Sequence, residues 1–310
     1  MTDRMILADQ QDYSEVWDVD DSFYQNVEEV CKTLYIESLK DLPPDVREAL
    51  QNAYKREELD SGKRILKTLI ENVDKADEHH MLICQDTGIP IYFVKIGSEV
   101  RFDGRRLEQA IRRGTERATL EHPLRSSICH TLTRKNTGTS TGYRIPVIHY
   151  EFVQGNQVEI LNVPKGSGSE NMSYLKCLTP AEGSDGIKKF VLECVFESGA
   201  NPCPPTIVGI GIGGSADLCV ALAKKASVRE VGSQNPDPHV RALEDELYEA
   251  INQLGIGAHG LGGSTTALAV HIEEAHTHMT MNPVAVNMMC WPARRRRATF
   301  SPGEAVSITY

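Results

Sequence analysis

The chain has 310 residues, a net charge of −10 from 33 Lys and Arg against 43 Asp and Glu, and 40% hydrophobic residues. That length supports one large domain or two modest ones with a buried core, and the acidic balance argues against sequence-independent nucleic-acid binding, which needs cations to neutralise phosphates. No apolar run approaches the roughly 20 residues of a membrane span, and the acidic start MTDRMILADQQDYSEVWDVDD lacks a signal-peptide core, so the expected compartment is the cytoplasm.

In chain order, DVREALQNAYKREEL (45–59) sets Val46, Ala49, Leu50 and Ala53 on one helical face, and KRILKTLIENV (63–73) repeats the pattern with Ile65, Leu66, Leu69, Ile70 and Val73. IPIYFVKIG (89–97) reads as a strand, and RRLEQAIRRGTERAT (105–119) as a helix. Residues 120–146 are turn-rich, with the loop KNTGTSTG. IPVIHYEFV (145–153) and QVEILNVP (157–164) predict a hairpin across QGN. KGSGSENMS (165–173) is a glycine–serine loop, and DGIKKFVLECVFESG (185–199) a helix with a glycine stop. TIVGIGIGGS (206–215) predicts a buried strand and turn feeding the helix ADLCVALAKKA, and a further helix covers about 239–254. HGLGGSTTALAVHIEEAHTH then passes from loop to strand. Helices outnumber strands, and the strands cluster as hairpins, so the expected fold is α+β, helix-rich with small antiparallel or mixed sheets. The run RRRR (294–297) reads as a solvated or subunit-facing tail.

GIGIGG (209–214) matches the dinucleotide glycine pattern, after a strand and before a helix. The acid that should end a second strand about 20 residues on would be Glu230, which no apolar strand precedes. Close strand–helix packing is the expected use of Gly211, Gly213 and Gly214.

The eight cysteines need a reducing-compartment explanation. Cys31, Cys177, Cys194 and Cys219 lie in apolar contexts and read as small buried hydrophobes. Cys129 has His130 beside it, although a catalytic pair is rarely formed by sequence neighbours. Cys84 in ICQDTG, Cys203 in ANPCPP and Cys290 in MMCWPARR each sit at a loop edge with polar or proline neighbours. The prolines around Cys203 rigidify its backbone, which suits a ligand. With no C-x-x-C, a zinc ribbon or ferredoxin-type cluster is disfavoured. Spacing alone leaves a three-thiolate metal site open.

Seven motifs in order resemble the α-subunit of the class I iron–sulfur hydro-lyases, the family of oxygen-sensitive fumarase and L-tartrate dehydratase. They are CQDTG (84–88), PLR (123–125), NTGT (136–139), KGSGSEN (165–171), NPCPP (201–205), LGIGAHGLGG (254–263) and NPVAV…CW (282–291), and they cover the chain from about 45 to 297. The resemblance implies a catalytic domain over 45–297 around a cluster-binding cleft, an N-terminal extension over 1–44 and a C-terminal tail over 298–310. It places Cys84, Cys203 and Cys290 as ligands of a 4Fe–4S cluster whose fourth iron has no protein ligand. Such an iron is a Lewis acid suited to a leaving hydroxide. Arg125 matches the substrate-carboxylate clamp, for which a planar bidentate donor fits. Gln85 and Asp86 follow the first ligand and are expected to face the substrate. His278 matches a histidine expected to pair with Asp86 as a proton-handling dyad, with His276 and His271 as weaker candidates. Gly166 and Gly168 are expected to let backbone N–H groups approach a carboxylate.

Single-chain relatives of this type carry a further C-terminal domain with more substrate-binding groups and the threonine regarded as the carbon base. This sequence stops at Tyr310, so the resemblance implies a separate β-subunit partner and a heteromer. The loop KGSGSENMS looks more like the fumarase version, and HNPV-like sequence is only partly present because Thr280 and Met281 intervene between His278 and Asn282. The expected reaction is hydration of fumarate to (S)-malate, a tricarboxylic acid cycle step. L-tartrate dehydratase or mesaconate hydratase is the alternative. Two other readings are a structural zinc protein using three cysteines and a histidine, and a dinucleotide enzyme using GIGIGG.

Overall fold

The computed structural model describes residues 16–310. The first fifteen residues of the acidic start lie outside the described residues. The elements are β1 (Trp17–Asp18), α1 (Asp21–Lys40), α2 (Pro44–Arg56), α3 (Asp60–His79), β2 (Ile89–Gly97), β3 (Val100–Arg101), α4 (Gly104–Glu121), β4 (Val147–Val153), β5 (Val158–Lys165), α5 (Ser167–Glu170), β6 (Ser173–Leu178), α6 (Gly183–Ser198), β7 (Thr206–Gly213), α7 (Ala216–Ala226), α8 (Pro238–Gln253), β8 (Ala267–Ala275), β9 (Asn282–Met289), β10 (Arg296–Phe300) and β11 (Ser307–Thr309). They build an α+β fold around a five-stranded sheet, order β11-β10-β5-β2-β4, and a four-stranded sheet, order β6-β9-β7-β8. Among the described residues no helix is long and apolar enough to cross a membrane.

The predicted hairpin does not form. β2 lies between its two arms, parallel to β4 and antiparallel to β5. The reason is burial: Ile91, Tyr92, Val94 and Ile96 are all covered, so β2 takes the centre, while β4 leaves Phe152 72% exposed at the edge. The QGN connection crosses the end of β2, where a Cβ on Gly97 would lie 2.1 Å from the Gly155 oxygen.

Helix α1 of the expected extension and strands β10 and β11 at the expected tail pack against the rest of the chain. Asp20 caps α1 by accepting from the Ser22 and Phe23 N–H groups. Phe23, Val27, Cys31 and Leu34 of α1 then share one core with Tyr92, Val94, Leu107, Ile111, Ala298 and Phe300. Gly114 of α4 permits the helix contact, since a Cβ there would meet the Glu28 oxygen at 2.3 Å. Residues 296–309 supply β10 and β11 to the larger sheet.

The arginine run is likewise not a solvated tail. Arg294 is 1% exposed and Arg295 3%. Arg295 pairs with Asp45 at 2.6 Å, Arg296 with Glu37 at 3.2 Å and Arg297 with Glu159 at 3.3 Å. Alternation along β10 and the acids of α1, α2 and β5 absorb charges that composition alone assigns to water.

In the second sheet β7 runs parallel to β8 and antiparallel to β9. The crossover through α7 and α8 is a βαβ unit that hydrophobic patterning did not separate from hairpins. Val208, Ile210, Val270, Ile272, Val284 and Val286 face α6 and α8. On the other side α7 lies directly on the glycines: a Cβ on Gly209 would be 2.2 Å from the Ala223 oxygen, and one on Gly211 2.0 Å from the Cys219 oxygen. GIGIGG is a packing device, with Gly214 meeting the Leu218 side chain and Gly213 the Ala275 backbone of β8. Cys31, Cys194 and Cys219 are buried as expected, but Cys177 is exposed on β6, which lies at the sheet edge.

Gly211→Ala should lower the stability to chemical denaturation by about 1–3 kcal/mol or more, because the helix must lift off the strand to admit one methyl. An unchanged denaturation midpoint would contradict this packing.

Candidate active site

The segments bearing the three cysteines of interest come together in one junction: the turn after β5 faces Cys290 Sγ, and Cys290 and Cys84 both act on Cys203. Cys84 lies between α3 and β2, half-buried, with its Sγ 3.6 Å from Gln85 Oε1. Cys290 follows β9 directly and is buried. Cys203 stands three residues before β7, exposed, in the left-handed region at φ 55°. Its carbonyl accepts from the Trp291 N–H at 3.2 Å, which ties it to the residue after Cys290. Burial pushes the Cys203 thiol up, and so do Cys290, Cys84 and Asp86, in that order, because each places negative charge nearby.

The glycine–serine loop closes this junction from the larger sheet. Ile89 at the start of β2 pairs with Lys165 at the end of β5. Gly88, at φ 71°, approaches so closely that a Cβ would meet the Lys165 backbone at 2.8 Å. One residue on, a Cβ on Gly166 would sit 3.5 Å from both Cys290 Sγ and Asp86 Oδ2, and 3.7 Å from Arg294 Nη2. A Cβ on Gly168 would press on the Asn201 oxygen at 2.7 Å, next to the Cys203 turn. These glycines let the loop lie against the thiol-bearing segments.

Asp86 is held from several sides. Its Oδ2 accepts from the Ser167 N–H at 2.8 Å and the Ser167 hydroxyl at 3.2 Å, and its Oδ1 accepts from the Gly88 N–H at 2.8 Å. Burial raises its pKa, but the N–H bonds from Ser167 and Gly88 and the Arg294 charge outweigh burial and hold the carboxyl below its usual value. The loop therefore turns an N–H toward a carboxylate as expected, but the carboxylate it meets is the protein's own Asp86.

Arg125 reaches the same region through its backbone. Its carbonyl accepts from Thr87 Oγ1 at 2.6 Å, and Ser127 Oγ donates to the Gly88 carbonyl at 2.7 Å. Arg125 and Gln85 are both exposed.

The expected dyad is not assembled within the chain. His278 is exposed, with Nδ1 2.9 Å from Thr280 Oγ1. Its loop is fastened to the far end of the small sheet, where Thr277 Oγ1 donates to the Gly214 carbonyl at 3.0 Å. Cys203 and Cys290 stand at the near end, so the length of β7 separates them from His278, roughly 23 Å at the usual rise of a strand. His271 is buried in β8, and burial first, then the Arg229 charge, lowers its pKa to about 3. His130 Nδ1 accepts from the Leu132 and Thr133 N–H groups at 3.2 Å, so it caps its own turn and does not pair with Cys129.

Three residues of the site were missed. Ser167 binds Asp86, and Arg294 Nη1 donates to the Asp86 carbonyl at 2.5 Å. Lys165, fully buried, donates to the Met288 carbonyl at 2.5 Å and to Ser169 Oγ at 2.9 Å. Burial lowers the Lys165 pKa to about 8. The available signal for Arg294 was its place four residues after Cys290.

The three thiols are soft donors, and Cys290 and Cys84 both act on the Cys203 thiol. Among the described residues no three His, Cys, Asp or Glu side chains close around one ion position. Softness of the three thiols fits iron–sulfur chemistry.

Fold, motifs and junction together are those of a hydro-lyase. The family described as fumarate hydratase (Fumerase) matches residues 28–299, and the chain belongs to this class I, iron–sulfur-dependent family. The chain is 46% identical over 272 residues to a Methanocaldococcus jannaschii protein provisionally named L(+)-tartrate dehydratase subunit alpha, covering 87% of this chain and 95% of that one. It is 37% identical over 255 residues to the L(+)-tartrate dehydratase subunit alpha of Escherichia coli O157:H7, and 36% identical to that of strain K12, covering 82% of this chain and 84% of each relative. These relatives favour the tartrate alternative over the fumarate reaction expected from the loop sequence.

Cys203→Ser should abolish iron and sulfide uptake on anaerobic reconstitution while leaving the far-ultraviolet circular dichroism unchanged. Full iron content in that variant would remove Cys203 from the ligand set.

Proposed function

We propose that this chain is the α-subunit of an iron–sulfur hydro-lyase that dehydrates L(+)-tartrate, working with a separate β-subunit. The observation that carries the substrate is the name shared by the relatives described above, which match over 84–95% of their own lengths. A second reading, hydration of fumarate to (S)-malate, draws on the family description.

In this reading Cys84, Cys203 and Cys290 hold a 4Fe–4S cluster. When bound, it supplies a Lewis-acidic iron to the hydroxyl that leaves. The chain's own residues do the rest. Arg125 offers an exposed guanidinium whose backbone is pinned beside Asp86, so its planar fork meets a carboxylate from a fixed base. Gln85 stands exposed beside the first cysteine and orients the substrate's polar groups. The Gly166–Gly168 turn brings backbone close to Cys290 without a side chain in the way.

Asp86 is held ionised by its N–H donors and makes a poor proton store by itself. A histidine partner would share that load near neutral pH. Because His278 lies at the other end of the small sheet, we assign it to the site of a second copy, reaching Asp86 across a subunit contact. The β-subunit supplies the carbon base and further substrate-binding groups, and its docking excludes water from the junction.

Two experiments test this. The chain co-purified with its β-subunit under argon should show at least a tenfold higher kcat/KM for L(+)-tartrate than for (S)-malate, and the reverse ratio would restore the fumarase reading. Asp86→Asn and His278→Asn assemblies should each be inactive. Mixing them should recover roughly a quarter of wild-type activity, as random pairing in a two-fold dimer gives. No recovery would keep His278 out of the site.

A further inference from the structure

Among the described residues, Arg294 is a buried cation with no carboxylate in ion-pair contact; the nearest is that of Asp86, whose charged form its guanidinium favours. Arg294 is among the largest side chains of the chain that are fully covered, at 1% exposure. The next three residues of its run each have an acid: Arg295 has Asp45 at 2.6 Å, Arg296 has Glu37 at 3.2 Å and Arg297 has Glu159 at 3.3 Å. Arg294 has only the Asp86 carbonyl, at 2.5 Å from Nη1, and its Nε lacks any hydrogen-bond partner. A buried guanidinium with no direct ion-pair partner and an unmet N–H is costly. Such a group persists where something anionic is to be placed against it.

The position of its free end says where. Nη2 is 3.7 Å from the point a Gly166 Cβ would occupy, and Cys290 Sγ is 3.5 Å from the same point. The missing side chain of Gly166 leaves an open lane on which the guanidinium, the thiol and Asp86 Oδ2, 3.5 Å from the same point, all border. Below it Lys165, fully buried, reaches Glu170 at 3.4 Å, but Lys224 also pairs with Glu170. Lys165, Lys224 and Arg294 are thus three cations gathered around two carboxylates, those of Glu170 and Asp86. The floor of the junction carries surplus positive charge.

We infer that Arg294 is the buried counter-cation of the cysteine-bound cluster, a positioning residue that directs N–H groups through the gap at Gly166 to the sulfur of Cys290 or of the cage. This rests on the iron–sulfur reading and deepens it. Cations and N–H donors at cluster sulfur favour the more reduced, more negative state, so they raise the reduction potential. They also anchor the cage on the side away from the exposed Cys203.

The test compares wild type, Arg294→Met, Arg294→Lys and, as a control on a solvent-side ion pair, Arg297→Gln. Each is reconstituted anaerobically with its β-subunit and followed by iron and sulfide content, cluster midpoint potential and Tm with and without cluster. Arg294→Met should lower the potential and shrink the rise in Tm that accompanies cluster loading. Arg294→Lys, which keeps the charge, should fall between it and wild type, and Arg297→Gln should leave both readouts unchanged. If the methionine variant does not fold, Arg294→Gln replaces it with the same expected shift. A variant that loads iron with wild-type potential and an unchanged Tm rise overturns the inference. A raised KM with both cluster readouts intact does so as well, and transfers Arg294 to the substrate carboxylate. If wild type itself takes up no iron and sulfide, the iron–sulfur reading fails first and takes this inference with it.

Discussion

The approach of the Gly88 backbone to Lys165 governs the rest of the site. No side chain fits at residue 88, where a Cβ would meet the facing backbone at 2.8 Å. That closeness seats the loop bearing Cys84 and Asp86 on the end of β5. From there the glycine–serine loop meets Cys290, and Cys290 is joined through Trp291 to the turn of Cys203. Main-chain contacts at Gly88–Lys165 and Cys203–Trp291 set the two halves of the site, and the Gly166 turn brings the halves together. The side chains are placed as a consequence.

Asp86 shows how main-chain placement becomes electrostatics. Two N–H donors and a nearby guanidinium overcome the effect of partial burial and keep the carboxylate charged. The same guanidinium donates to the carbonyl of that residue. One arginine therefore touches both Asp86 and the space beside a thiol. Loss of any member of this set is expected to be felt by the others, as coupled neighbours are not additive.

Much of the fold was legible in the sequence. IPIYFVKIG coincides with β2, and ADLCVALAKKA with α7, because apolar content and glycine punctuation mark both. Pairing was not legible: β2 inserts between β4 and β5, a non-local choice that a short turn such as QGN does not reveal. The arginine run misled for a related reason, since its acids come from α1, α2 and β5. Of the candidate site, the three cysteines and the glycines were marked by their loop neighbours. Ser167, Lys165 and Arg294 were not, because what distinguishes them is burial and partners. His278 was legible as a motif residue, but its distance from Asp86 follows from strand direction alone.

The turn at residue 203 has a further consequence. Its φ of 55° is a conformation in which glycine rests without strain and a side chain does not. Backbone preference and the ligand role proposed for Cys203 therefore pull that position toward different amino acids. A lineage that lost the reaction would have reason to drift to glycine there, giving a sturdier apoprotein with one anchor gone. On the reading proposed above, the sulfur at this corner is held at a cost in backbone ease.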